Sequence, residues 1–143
     1  MIRYFNKEVK FNLKAKRIIS AWLKSMIEEH GKQCKDLNII FCTDSYILEI
    51  NNQFLNHNYF TDIITFDYCE GKDLSGELYI SIDTVKLNAV EYKQEFLTEL
   101  HRVIVHGVLH LLGYDDHKKA DIAKMREAEA KSLDLLEKLR KIQ

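Results

Sequence analysis

The sequence predicts an α+β fold: a sheet of about four strands packed with about five helices, one of them a central helix suited to binding a metal. Helical and strand-like segments cluster rather than strictly alternate. Two β-branched, aromatic runs, DIITFDY (62–68) and GELYISI (76–82), stand on either side of a Gly-containing loop and read as paired neighbours. The stretch from Val103 to Leu112 is apolar on nearly every side except at two histidines, the pattern of a buried helix.

Taken in order, residues 2–6 (IRYFN) predict a short opening strand. Ile18, Ile19, Trp22, Leu23, Met26 and Ile27 recur at helical spacing and predict a helix over 14–30 that Gly31 stops. LNIIFCT (37–43) has strand composition, and Asp44 can cap a helix whose apolar face is Ile47, Leu48, Ile50 and Phe54. After the two β runs, a helix from Asp83 or Thr84 reaches about Lys93. A second follows from Gln94, with Leu97, Leu100, Ile104, Val108 and Leu111 three and four apart, and Gly113 supplies its C-terminal stop. The charge-rich tail, 118–141, reads as an amphipathic surface helix.

The 143 residues, 46% hydrophobic and 30% charged, suit one compact soluble domain over 1–143, large enough to bury a core without disulfides. Repeats, low-complexity tracts and prolines are absent from the sequence. Cys34, Cys42 and Cys69 match no zinc or redox spacing and read as reduced thiols, two of them on strands. MIRYFNKEVKF lacks the apolar run of a signal peptide, and no segment is long enough to span a membrane; both favour the cytoplasm. A net charge of −1 does not announce a nucleic-acid binder, and the basic groups at 14–17 (KAKR) and at the C-terminus read as solvated helix faces.

The chemistry lies in HGVLHLLGYDDH (106–117). Residues four apart share a helix face, so His106 and His110 project side by side and two imidazole nitrogens can converge on one metal ion. A buried imidazole without a partner loses its hydration, which makes an idle pair on an apolar helix costly. A zinc protease of the H-E-x-x-H type needs a glutamate after the first histidine; here that position is Gly107, and that route to peptide hydrolysis is unsupported. A third ligand candidate follows soon after the glycine stop.

This stretch closely resembles the HGxLHLxGYDH signature of the YbeY family of metal-dependent, single-strand-specific endoribonucleases. TDIITF (61–66) resembles that family's TDVLSF segment, and SGELYISID (75–83) its GDIxIS strand, so the resemblance covers most of the chain. It implies an α+β fold, one catalytic Zn2+ per chain held by three residues of the signature, and ribosomal RNA and the small ribosomal subunit as partners. It also implies a role in 16S rRNA 3′-end maturation and 70S ribosome quality control, with neither membrane nor DNA as a target. The family's third ligand is a histidine ten residues after the first. Here that offset falls on Asp116, with His117 one further on; spacing favours Asp116 and ligand type favours His117. Many members carry an arginine six residues before the TD pair, where this chain has Leu55. His57, Thr61 and Asp62 are candidate substrate contacts, and Glu77 and Asp83 are undecided. The catalytic residues expected are His106 and His110, acting through the metal. The rival readings are a metal-dependent hydrolase of another substrate class, a two-histidine–one-carboxylate iron oxygenase, and a non-catalytic ribosome-assembly factor with a structural metal.

Overall fold

The structure, a computed structural model, describes residues 1–55 and 61–142. Four strands, β1 (Ile2–Lys7), β2 (Gln33–Cys42), β3 (Ile63–Asp67) and β4 (Asp73–Ser81), form one sheet in the order β1-β2-β4-β3. β1 and β4 flank β2 in parallel, whereas β3 runs antiparallel to β4, giving a mixed sheet and the α+β class that the sequence predicts. The five helices are α1 (Lys16–Glu29), α2 (Asp44–Leu55), α3 (Ile82–Glu91), α4 (Phe96–Leu111) and α5 (Lys119–Ile142).

Strand side chains alternate between faces, and this divides the apolar residues into two groups. Leu37, Ile39 and Phe41 of β2 and Leu74, Leu78 and Ile80 of β4 are all at most 1% exposed and join α1 and α4 in the main core. Cys42 and Ile64 lie on the opposite face, beneath Ile47 and Ile50 of α2. α4 runs through the main core: Leu100, Val103, Ile104, Val105, Val108 and Leu109 are buried on it, as its all-round apolar pattern requires.

Three of the boundaries that differ from the sequence expectation have a clear local cause. β2 starts at Gln33, ahead of its apolar run, because its polar first half pairs with the start of β4 (Gln33 with Asp73, Cys34 with Leu74) across a bulge between Cys34 and Asp36. At α2 the capping oxygen belongs to Thr43, whose Oγ1 accepts from the Tyr46 N–H at 3.2 Å, and Asp44 is the first helical residue. Asp44 instead accepts hydrogen bonds from the Ser81 and Thr84 hydroxyls, tying α2 to the start of α3. α3 begins at Ile82 because Ser81 caps it, accepting from the Thr84 N–H at 3.1 Å. No helix among the described residues is long and apolar enough to cross a membrane.

Candidate metal centre

The geometry of the centre begins with the way α4 ends. Gly113 has φ of 102°, open to glycine at no steric cost, and its N–H bonds the His110 carbonyl at 3.0 Å while the Tyr114 N–H bonds that of Leu109 at 3.0 Å. This pair of bonds is a Schellman motif, and it folds the following loop back over the last turns of the helix. Two consequences follow. The Tyr114 carbonyl comes within 3.1 Å of His110 Nδ1, and Asp116 Oδ2 comes within 3.4 Å of Nε2 of both His106 and His110. The two Nε2 atoms are themselves 3.1 Å apart.

The proton positions follow from the partners. A carbonyl only accepts, so His110 Nδ1 carries a hydrogen. His106 Nδ1 lies 2.6 Å from Glu129 Oε2 of α5. Burial pushes the Glu129 pKa up, but the His106 hydrogen bond and the charge of Arg102 outweigh it and hold the carboxyl below its ordinary value. Glu129 is therefore an ionised acceptor, and His106 Nδ1 also carries a hydrogen. In the neutral rings this leaves both Nε2 lone pairs facing one another beside a carboxylate oxygen. Three electron-rich atoms so close together repel unless a cation stands among them, and two imidazole nitrogens with one carboxylate are an ordinary donor set for a divalent metal with open positions. The residues fit such an ion. His117 is 84% exposed, its Nε2 lies 3.4 Å from Asp115, and it groups with Asp115 and Asp116 rather than with the two imidazoles.

Behind the imidazoles stands a partly buried ionic network that joins α4 to α5. Arg102 bonds Glu99 through Nε (3.0 Å) and Nη2 (2.8 Å) and reaches Glu129 through Nη1 (3.3 Å). Burial alone would lower the Arg102 pKa; its bonds to the two carboxylates more than reverse this and hold it above the ordinary value. Glu99, Arg102 and Glu129 escaped the sequence reading. Arg102 carries a usable signal, since it precedes His106 by four residues and so shares the histidine face of the helix.

Thr61, Asp62, His106, His110, Asp116 and His117 lie along one cleft of about 510 Å³. Thr61 Oγ1 donates to the Ile63 carbonyl at 3.4 Å, and Asp62 accepts from Asn88 Nδ2 at 3.3 Å, with Arg102 Nη2 3.9 Å away. Burial raises the Asp62 pKa, and the charges of Arg102 and His106 only partly oppose it. His57 lies outside the described residues, as does the side chain of Leu55. Glu77 and Asp83 do not line this cleft. Glu77 accepts from the Tyr68 hydroxyl at 3.1 Å, and Asp83 accepts from the Asp44 N–H at 3.0 Å.

Fold and site together define an α+β protein in which a buried helix and the loop after it bring two imidazoles and a carboxylate to one cleft, an arrangement able to hold a catalytic metal. The family model for Endoribonuclease YbeY matches residues 1–137. The chain is 46% identical over 136 residues to the Endoribonuclease YbeY of Phocaeicola vulgatus, covering 95% of this chain and 99% of that one. It is 44% identical over 135 residues to that of Parabacteroides distasonis, covering 94% and 95%. The solution structure of TM1509 from Thermotoga maritima superposes with a TM-score of 0.68 at 28% identity, covering 95% of this chain and 89% of that one. The chain belongs to the YbeY endoribonuclease family.

Proposed function

We propose that residues 1–143 act as one domain that hydrolyses phosphodiester bonds of single-stranded RNA, using one zinc ion held by His106, His110 and Asp116. The observation that carries this reading is the convergence of His106 Nε2, His110 Nε2 and Asp116 Oδ2, 3.1–3.4 Å apart, in an open cleft of a chain with this family membership. The nitrogen and carboxylate donors suit zinc. When bound, the ion supplies a fixed positive charge that polarises a phosphodiester and opposes the charge developing on it. The residues of the chain do the rest. Glu129 and the Tyr114 carbonyl hold protons on the two Nδ1 atoms and so keep both Nε2 lone pairs turned to the cleft. Thr61 and Asp62 face the substrate from the strand side, with His57 a further contact. In the family's setting the substrate is ribosomal RNA on the small subunit, processed at the 16S 3′ end and in 70S quality control in the cytoplasm.

The test combines metal analysis with cleavage of a single-stranded rRNA fragment. The wild type carries about one zinc per chain and cuts the fragment, and a chelator stops cleavage. His106→Ala and His110→Ala lose both metal and cleavage, and Asp116→Ala loses metal while His117→Ala retains it. Equal cleavage by the wild type and both histidine variants overturns the enzyme reading. Metal loss confined to His117→Ala overturns Asp116 as the third ligand.

A further inference from the structure

β3 is the end strand of the sheet, and residues 63–65 and 67 of it line the metal cleft. In an antiparallel pair, alternate residues direct both main-chain groups toward the partner strand and the residues between direct theirs away. Here the phase is fixed by two bonds, Ser81 N–H to the Asp62 carbonyl at 2.9 Å and Tyr68 N–H to the Ser75 carbonyl at 3.0 Å. With Ile64 opposite Tyr79 and Phe66 opposite Glu77, Ile64 and Phe66 complete the ladder. Ile63, Thr65 and Asp67 therefore turn their N–H and C=O groups outward. Ile63's carbonyl is taken by Thr61 Oγ1. Thr65, beside the cleft, has no main-chain partner among the described residues.

We infer that the outward N–H and C=O of Thr65 bind the Watson–Crick edge of one unpaired RNA base beside the metal centre; this rests on the endoribonuclease reading above. Every base offers adjacent donor and acceptor groups on that edge, so one N–H and one C=O side by side can pair with any of them. In a duplex the same edge is occupied by the opposite strand, and such a site admits only single-stranded substrate. Asp62 and Asp67 line the same cleft and offer carboxyl oxygens that can accept the amino and imino hydrogens of the bound base.

Proline at position 65 removes the N–H without breaking a ladder bond, because that N–H faces away from β4, and proline is tolerated on such an edge. Thr65→Pro should retain zinc and lose about tenfold or more in kcat/KM on a single-stranded hexanucleotide, mostly through KM, as expected for a lost base contact. Thr65→Val, which keeps the main-chain groups, should lose less in kcat/KM on the same substrate than Thr65→Pro. In the metal-free chain, Thr65 N–H should exchange with solvent quickly while Ile64 and Phe66 are protected, and saturating RNA should slow Thr65 by about tenfold. Cleavage by Thr65→Pro at the wild-type rate, or a Thr65 exchange rate indifferent to RNA, overturns the inference and leaves the endoribonuclease reading standing. Should Thr65→Pro fail to fold, the exchange rate decides alone. RNA left intact by the wild type overturns the endoribonuclease reading and this inference with it.

Discussion

At the scale of single residues, the centre depends on a carboxylate that never faces the cleft. Glu129 is 2% exposed, and its Oε2, 2.6 Å from His106 Nδ1, accepts the Nδ1 proton and fixes the tautomer and orientation of that ring. Glu129→Gln retains the shape but loses the charge that makes His106 a stronger donor to a metal. Zinc affinity should fall roughly 10–100-fold, read by competition with a chromophoric chelator. A variant that binds zinc as tightly as the wild type would leave Glu129 a structural role only. The histidine pair was legible in the sequence because its partners are four residues apart on one helix. Glu129 was not, because it sits 23 residues from His106 in a helix whose charges all look solvated. Spacing already favoured Asp116 over His117 in the sequence; what the sequence could not give is the Schellman turn at Gly113, which brings the Asp116 carboxylate within 3.4 Å of both imidazoles.

At the scale of elements, Gly107 is more than a missing protease base. A Cβ there would lie 2.7 Å from Ile63 Cδ1 and 2.9 Å from Leu78 Cδ2, so glycine is what lets α4 approach β3 and β4 closely enough to set the histidines beside the Thr61–Asp62 segment. Alanine would improve helix propensity by about 1 kcal/mol. Overpacking the contact costs about 1–3 kcal/mol, so Gly107→Ala should be destabilised on the order of 1 kcal/mol in urea unfolding. An unchanged midpoint would mean that moving Ile63 and Leu78 aside costs no more than the helix propensity gained. Gly76 has no such escape, since its Cβ would meet the Phe66 main-chain carbonyl at 2.6 Å. The same contrast explains which elements could be read in advance. α1, α4 and the paired runs of β3 and β4 announce themselves by apolar periodicity. The polar first half of β2 is held by pairing to β4, and a ladder partner far along the chain leaves no local mark.

At the scale of the whole molecule, α4 brings a second titratable group into the core, remote from the cleft. His101 is 6% exposed and packs edge-on against Trp22 of α1, with ring centroids 6.2 Å apart. Burial, aided by the charge of Arg140 on α5, lowers its pKa from 6.5 to about 4. The folded chain thus keeps His101 neutral over a range where the unfolded chain protonates it. The unfolded state binds more protons between those two values, so stability rises with pH across that window. The neutral form's contribution is complete above pH 6.5, erodes as pH falls, and is spent near pH 4. At about 1.4 kcal/mol per unit, the loss across the window is on the order of 3 kcal/mol. His101→Leu keeps a side chain of similar bulk against Trp22 and has no proton to take up. Denaturant midpoints from pH 7 down to 4 should therefore fall less steeply in the variant than in the wild type, the two curves converging or crossing on the acid side. Parallel curves would mean that folding leaves the His101 pKa unshifted and that the acid sensitivity of the molecule resides in its carboxylates. Glu129, held low in the fold, releases its contribution only as pH falls below the ordinary carboxylate value, outside most of this window.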